Sequence, residues 1–148
     1  MEEDMRRSIA ALAEEIAAAA HRGQVDKAGQ PYITHPARVA ARVAGDENAV
    51  AAAWLHDVVE DTPVTLVDLE ESFPAEVTTA VDALTRRPGE ASADYYARVR
   101  AVPLALTVKL ADLADNSDPQ RLARLDAATR ERLIAKYARA RAELTAGV

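Results

Sequence analysis

The chain has 148 residues, which is enough for one domain with a single buried core. Its composition, 49% hydrophobic and 28% charged, is that of a globular protein, and the lack of cysteine excludes a disulfide scaffold, a thiolate zinc site and a cysteine nucleophile. The formal net charge of −6 argues against a nucleic acid polymer as a partner, because that kind of binding depends on a basic surface.

Apolar residues recur at helical spacing through the first part of the chain. The first predicted helix has an apolar face formed by Ile9, Leu12, Ile16 and Ala19 or Ala20. Pro36 fits the first turn of a second helix that extends to about Ala44. Asp46 can cap a third helix, which we expect from about Glu47 to Glu60. Its inward-facing residues are Val50, Ala53, Trp54 and Val58.

Shorter helices are predicted in the middle of the chain. Thr65 can cap a segment over Leu66 to Ser72, and Pro74 opens another helix through Leu84. After a loop rich in arginine, proline and glycine, Ser92 is the predicted cap of a tyrosine-bearing helix.

Two longer helices complete the predicted fold. The first opens at Pro103 and runs through Asn116, and it is apolar nearly all round, which is the pattern of a buried central helix. Asp126 caps the last helix, whose apolar stripe is Leu133, Tyr137, Ala140 and Leu144. Because β-branched runs are scarce, the predicted fold class is all-α in a single domain.

The beginning of the chain bears on its location. Met1-Glu2-Glu3-Asp4 lacks the basic leader and apolar segment of a secretory signal. The apolar runs are far shorter than the roughly 18 residues that suggest a membrane span. We therefore expect a cytoplasmic protein with no membrane partner.

Four ionisable residues crowd the end of the third predicted helix, namely His56, Asp57, Glu60 and Asp61. On a helix, His56 shares a face with Glu60, as Asp57 does with Asp61. An ordinary solvated face usually alternates the signs of its charges, whereas this run contains no lysine or arginine. Buried charges need partners or a metal ion, so the cluster indicates a metal site.

Two further residues can complete that site. His35 lies where the second helix begins, and Asp112 lies inside the apolar central helix, where a carboxylate is costly unless it is bound. Together with His56 and Asp57 they form a mixed nitrogen and oxygen set that suits manganese, iron, zinc or magnesium. The spacing differs from the zinc-protease pattern, because the fourth residue after His56 is Glu60.

Four motifs occur in an order that resembles the hydrolase domain of the RelA/SpoT family of HD-domain phosphohydrolases. They are His21-Arg22-Gly23-Gln24, Gly29-Gln30-Pro31-Tyr32-Ile33-Thr34-His35-Pro36, Leu55-His56-Asp57-Val58-Val59-Glu60-Asp61-Thr62 and Val108-Lys109-Leu110-Ala111-Asp112. The resemblance covers about Ile9 to Leu144 and is closest in size to the single-domain small alarmone hydrolases. It implies a compact HD domain of about seven or eight helices over residues 1–148.

The resemblance also implies roles for the charged cluster. His35, His56, Asp57 and Asp112 would bind one divalent metal ion, usually Mn²⁺. Glu60 and Asp61 match the acidic pair that positions and activates the attacking water in this family. Either carboxylate could accept the proton if burial and like-charged neighbours raise its pKa.

Five residues are candidate substrate contacts. By resemblance, Arg22 lies near the nucleotide, Asn116 on the nucleoside side of the pocket, and Tyr137 either faces the nucleotide or belongs to the apolar stripe. Lys27 and Lys109 are candidate phosphate contacts, because an acidic protein needs local positive charge to bind an anion.

The implied reaction is removal of the 3′-pyrophosphate from guanosine tetra- or pentaphosphate, so the expected partner is a small phosphorylated nucleotide. The chain departs from the larger RelA/SpoT proteins after Asp112, where Leu113-Ala114-Asp115-Asn116-Ser117-Asp118-Pro119 keeps an asparagine, lacks an arginine and adds two acids. The same metal site could therefore act on another nucleotide, such as the 2′-phosphate of NADPH or a nucleoside phosphate, or serve a non-catalytic nucleotide-sensing module. The oligomeric state stays open, a homodimer included.

Overall fold

The computed structural model describes residues 8–146, and within that range it has ten helical segments and no β-strand. They are α1 (Ile9–Ala20), α2 (Thr34–Arg42), α3 (Glu47–Leu55), α4 (Val58–Asp61), α5 (Leu66–Glu70), α6 (Ala75–Leu84), α7 (Ser92–Arg100), α8 (Pro103–Asn116), α9 (Pro119–Leu122) and α10 (Ala127–Thr145). The all-α class is confirmed. The number exceeds the predicted seven or eight because the third predicted helix is split and because α9 was not predicted.

Side-chain caps fix where several helices begin. Asp46 accepts hydrogen bonds from the backbone of α3, Thr65 forms a capping box with Asp68 at α5, and Asp126 caps α10. These three predicted caps are confirmed. The predicted cap at Ser92 is wrong, because Ser92 is already the first residue of α7 and Ala91 precedes it without a side-chain bond.

The third predicted helix does not continue to Glu60. It ends at Leu55, and α4 starts only at Val58. Nδ1 of the His56 ring lies 2.6 Å from the carbonyl oxygen of Ala53, so this side chain competes for an acceptor that a continuing helix would use. The prediction that His56 and Glu60 share one helical face is therefore wrong.

Helices α3 and α8 form the middle of the fold. α3 packs against α1, α2, α6 and α8, and its alanines and Leu55 are buried, which lets neighbouring backbones approach closely. α1 turns Ala13 and Ala17 into the core, while the predicted Ile9, Leu12 and Ile16 are only partly buried. The predicted face of α1 therefore packs against the core, and the most buried residues of the helix are Ala13 and Ala17.

The last helix covers one side of this core. α10 packs against α7 and α8, with Leu133, Ala140 and Leu144 buried and Tyr137 half-buried, as the stripe predicts. Between residues 8 and 146, no helix has the combination of length and hydrophobicity that crossing a bilayer requires.

Candidate metal centre and cavity

Three buried side chains from separate helices meet at one point. His35 lies in the first turn of α2, His56 directly follows α3, and Asp112 lies inside α8. Oδ1 of Asp112 lies 2.7 Å from Nε2 of His35 and 3.2 Å from Nε2 of His56. Each of the three residues offers one ligand atom, and these atoms all lie within 4.8 Å of one another. The fold thus brings together three of the four predicted metal ligands.

The other nitrogen of each histidine is already engaged. Nδ1 of His35 lies 2.6 Å from Oδ2 of Asp115, and Nδ1 of His56 lies 2.6 Å from the carbonyl oxygen of Ala53. Because both acceptors favour a proton on Nδ1, a neutral ring directs the lone pair of Nε2 toward Asp112. Two nitrogen lone pairs and a carboxylate at one point form a donor set that fits a divalent cation.

When no cation is bound, the charges of His35, His56 and Asp112 depend on which of these side chains are protonated. Burial lowers the pKa of His35, but the hydrogen bonds to Asp112 and Asp115 outweigh it, so its pKa is raised. The pKa of His56 is raised well above its usual value because nearby Asp57 and Asp112 outweigh burial. Lys109 and both histidines lower the pKa of Asp112 in spite of its burial. A divalent cation would therefore displace protons when it binds.

Asp57, the fourth predicted ligand, lies at the edge of the three-residue group. Its Oδ2 is 3.1 Å from Nε2 of His56, and it accepts a hydrogen bond from the hydroxyl of Tyr32. Burial would raise the pKa of Asp57, but the positive charge of His56 lowers it to about 2. Its carboxylate is therefore ionised and available beside the group.

The two predicted catalytic carboxylates, Glu60 and Asp61, line the same cavity. Oε1 of Glu60 accepts a hydrogen bond from the backbone N–H of Arg86 at 2.8 Å, which ties α4 to the loop after α6. Asp61 is exposed at the surface of the protein, and the cavity wall partly desolvates its carboxyl group. Partial burial first, and then the negative charges of Asp57 and Glu60, raise the pKa of Asp61 to about 6.

Sequence reasoning missed the role of Asp115, which it treated only as an added acid after Asp112. The Asp115 carboxylate is almost fully buried and also contacts Nε of Arg38 and Nη1 of Arg121, each at 2.8 Å. These contacts position the carboxylate that orients His35. The available signal was the placement of Asp115 three residues after Asp112, which puts it on the same side of an apolar helix.

A guanidinium reaches this site from outside the predicted motifs. Asp118 caps the short helix α9, which carries Arg121. Nη1 of Arg121 contacts Asp115 and Nη2 lies 3.4 Å from Oδ2 of Asp26 in the loop before α2. The segment after Asp112 lacks the expected arginine, but the helix α9 that follows it supplies Arg121.

A cavity of about 520 Å³ opens beside the metal group. Of the predicted substrate contacts, Lys27, Lys109, Asn116 and Tyr137 line it. Nζ of Lys109 lies 3.0 Å from Oδ2 of Asp112, so this lysine neutralises a candidate metal ligand. Arg22 is exposed and is not among the residues that line the cavity, so its contact with substrate stays a prediction.

Comparison with known proteins identifies the family to which this sequence is related. The sequence profile of the HD domain matches residues 13–134. The chain is 42% identical over 118 residues to the guanosine-3′,5′-bis(diphosphate) 3′-pyrophosphohydrolase of Haemophilus influenzae, covering 68% of this chain and 17% of that protein. It is 37% identical over 117 residues to the bifunctional (p)ppGpp synthase/hydrolase SpoT of Escherichia coli K12, covering 72% and 17%.

The fold also has a counterpart among solved structures. A metazoan ortholog of SpoT, described as hydrolysing ppGpp, superimposes with a TM-score of 0.79 at 25% identity and covers 95% of this chain and 88% of its own. The chain spans about one sixth of the length of the two curated bacterial relatives named above. Because the HD profile covers most of its length, the chain belongs to the HD-domain family.

Proposed function

We propose that this chain is a metal-dependent phosphohydrolase that removes the 3′-pyrophosphate from guanosine tetra- and pentaphosphate. The observation that carries the proposal is the convergence of two histidine Nε2 atoms on the buried Asp112 carboxylate beside a cavity. The bacterial relatives whose names state this activity support the choice of substrate. We further propose that residues 1–148 act as a single HD domain in the cytoplasm.

One divalent cation, Mn²⁺ in our proposal, would be held by His35, His56 and Asp112, with Asp57 as the fourth ligand. When bound, such a cation lowers the pKa of coordinated water and neutralises charge on phosphoryl oxygens. Nitrogen and carboxylate donors without sulfur suit Mn²⁺. Asp115 and the carbonyl group of Ala53 hold the two imidazole rings in the orientation that this requires.

The chain's own carboxylates supply the proton transfer. Asp61 accepts the proton of the attacking water, because a pKa of about 6 leaves it ionised near neutral pH and still basic enough to take a proton. Glu60 positions the loop at Arg86 through its bond to the backbone there. Both residues therefore serve the reaction, but only Asp61 acts as the base.

The substrate lies in the cavity beside these groups. Asn116 and Tyr137 line it and are proposed to contact the nucleoside, while Lys27 and Lys109 supply positive charge for phosphate groups. We also propose that Arg22 contacts the substrate from outside the cavity lining.

The experiment that tests the function is product release by the manganese-loaded protein from a nucleotide panel. The panel contains ppGpp, pppGpp, the adenosine equivalent, NADPH and nucleoside monophosphates, with Asp57→Ala as the control. Pyrophosphate from ppGpp and pppGpp, absent with the variant, is the expected result. Release of orthophosphate from NADPH or a nucleoside monophosphate instead would agree with metal-dependent hydrolysis and would refute the alarmone as the substrate. No product from any nucleotide, with metal still bound, would refute hydrolysis and favour a sensing role.

A further inference from the structure

His21 directly follows α1 and is only 2% exposed, although it is not part of the metal group. Its Nδ1 lies 2.8 Å from Oε1 of Gln24, and the side-chain amide of Gln24 donates a hydrogen bond of 3.2 Å to the backbone carbonyl oxygen of Asp61. Because a carbonyl oxygen can only accept, the NH₂ group of Gln24 faces Asp61 and its oxygen faces His21. Nδ1 of His21 therefore carries a proton, and two hydrogen bonds lead from the buried ring to the proposed base.

A second series of contacts leads from His21 to Asp57. The ring centroid of Tyr32 lies 4.9 Å from that of His21, and the hydroxyl of Tyr32 donates a hydrogen bond to Oδ2 of Asp57. The backbone N–H of Tyr32 also donates to the carbonyl oxygen of Gln24, at 2.8 Å. The loop between α1 and α2 thus links one buried ring to two carboxylates of the site.

The short helix α4, which carries Asp61, depends on contacts with other segments. It has only four residues, too few for a helix that is stable by itself. Oε1 of Glu60 joins it to the backbone of Arg86, and the amide of Gln24 joins its last carbonyl group to the loop after α1. Without the contact from Gln24, the end of α4 could move relative to the metal group.

A role in packing alone does not explain a histidine at position 21. Nε2 of His21 is buried and has no hydrogen-bond partner among residues 8–146. A buried polar atom without a partner destabilises the fold, and a phenylalanine ring would fill the same space without that penalty. The atom that phenylalanine cannot replace is Nδ1, which bonds to Gln24.

We propose that His21 is a positioning residue for the hydrolysis, which holds Asp61 through Gln24 and Asp57 through Tyr32. This inference rests on the proposed function in taking Asp61 as the base and Asp57 as a metal ligand. The two contacts of His21 act on different steps. The hydrogen bond to Gln24 acts on proton transfer, and the ring contact with Tyr32 acts on metal binding. A variant that removes only one of the contacts therefore separates the two effects.

The first variant, His21→Phe, keeps a ring against Tyr32 and removes the hydrogen bond to Gln24. We expect kcat for ppGpp about tenfold lower, with KM and the Mn²⁺ affinity changed less than about twofold. Since the variant also removes the unpartnered Nε2, its midpoint of thermal unfolding should be no lower than that of the wild type. A role in packing alone would instead lower the midpoint together with kcat.

The second variant, Gln24→Ala, breaks the connection to Asp61 directly at a side chain that is only half-buried. Gln30→Ala is the matched control, because Gln30 is an exposed glutamine of the same loop whose side chain forms no hydrogen bond within residues 8–146. We expect Gln24→Ala to lower kcat as much as His21→Phe does, and Gln30→Ala to leave it unchanged. The double variant His21→Phe/Gln24→Ala should lower kcat no further, because both changes remove one connection.

The third variant, His21→Asn, keeps an N–H donor for Gln24 and removes the ring that contacts Tyr32. We expect the Mn²⁺ affinity, measured by calorimetry, to fall about threefold, which is the effect of losing one aromatic contact. At saturating Mn²⁺, kcat should lie closer to that of the wild type than to that of His21→Phe. The two substitutions at one position thus have opposite expected effects on metal binding and on kcat.

NMR of the His21 ring nitrogens in the metal-free protein tests the geometry without turnover. At about pH 8, where an ordinary imidazole is neutral, the proton should be on Nδ1. A proton on Nε2 alone, an unchanged kcat in His21→Phe and Gln24→Ala, or a further loss in the double variant would overturn the inference. If the wild type does not hydrolyse ppGpp, the proposed function fails, and the inference is decided by two results. A proton on Nδ1 together with weaker Mn²⁺ binding in His21→Asn would support it, and any other combination would overturn it.

Discussion

Replacement of Asp115 by asparagine tests whether this buried carboxylate orients His35 for metal binding. Asp115→Asn keeps the size of the side chain and removes its charge. Oδ2 of Asp115 lies 2.6 Å from Nδ1 of His35, and the carboxylate also contacts Arg38 and Arg121. An amide can present its NH₂ group to His35, in which case Nδ1 must act as the acceptor and the proton moves to Nε2. That tautomer cannot bind a metal ion through Nε2.

The expected size of the effect follows from what such partners contribute. Loss of a hydrogen-bond partner behind a metal-binding histidine typically costs about 10–100-fold in metal affinity. This range corresponds to about 1.4–2.7 kcal/mol of binding free energy. The free energy of unfolding should also fall, by about 1–3 kcal/mol, because the two arginines lose a charged acceptor.

The assay is a calorimetric titration of the metal-free protein with Mn²⁺ near neutral pH. Asp118→Asn is the matched control, because asparagine is as good a cap as aspartate and the variant removes the same charge three residues away. We expect weaker binding in Asp115→Asn and affinity close to the wild type in Asp118→Asn. Equal Mn²⁺ affinity in Asp115→Asn and the wild type would refute the role given to Asp115.

Three other variants test separate parts of the account. The kcat of the wild type should fall as the pH drops through about 6, and the positive charge of a bound cation near Asp61 would move this midpoint to lower pH. Asp61→Asn should lower kcat about 100-fold and abolish this acidic limb of the pH profile. An unchanged pH profile would show that another residue is the base. Tyr32→Phe removes the hydroxyl that donates to Asp57 and should weaken Mn²⁺ binding about tenfold by calorimetry, whereas equal affinity would show that this bond does not matter. Leu144→Ala should lower the free energy of unfolding in urea by about 2–5 kcal/mol, and a smaller loss would contradict the packing of α10.

The helices that sequence predicted best have strong local signals. Pro103 to Asn116 has a proline that opens the helix and apolar residues on most sides, and α8 has those same bounds. The end of α3 could not be predicted in this way. It depends on two contacts of His56, one with the carbonyl oxygen of Ala53 and one with Asp112 of another helix.

The residues of the candidate site also differ in how far the local sequence predicts them. Asp112 was predictable, because a carboxylate in an apolar helix is costly unless it has partners. Asp115 has a weaker signal, its position three residues after Asp112, and its contact with His35, which lies 80 residues earlier in the chain, is formed only by the fold. Arg121 was also missed, since it reaches the site on a helix of four residues that is too short to show a periodic pattern.

The central claim is that the metal group of His35, His56 and Asp112 makes this domain a hydrolase. Its most direct test is pyrophosphate release from ppGpp by the metal-free protein during stepwise addition of Mn²⁺, followed with free Mn²⁺ by electron paramagnetic resonance. The account predicts no release in EDTA, a rise that ends at one bound ion per chain, and neither binding nor release in Asp112→Asn. Full release in EDTA, or Mn²⁺ binding by Asp112→Asn equal to that of the wild type, would contradict it.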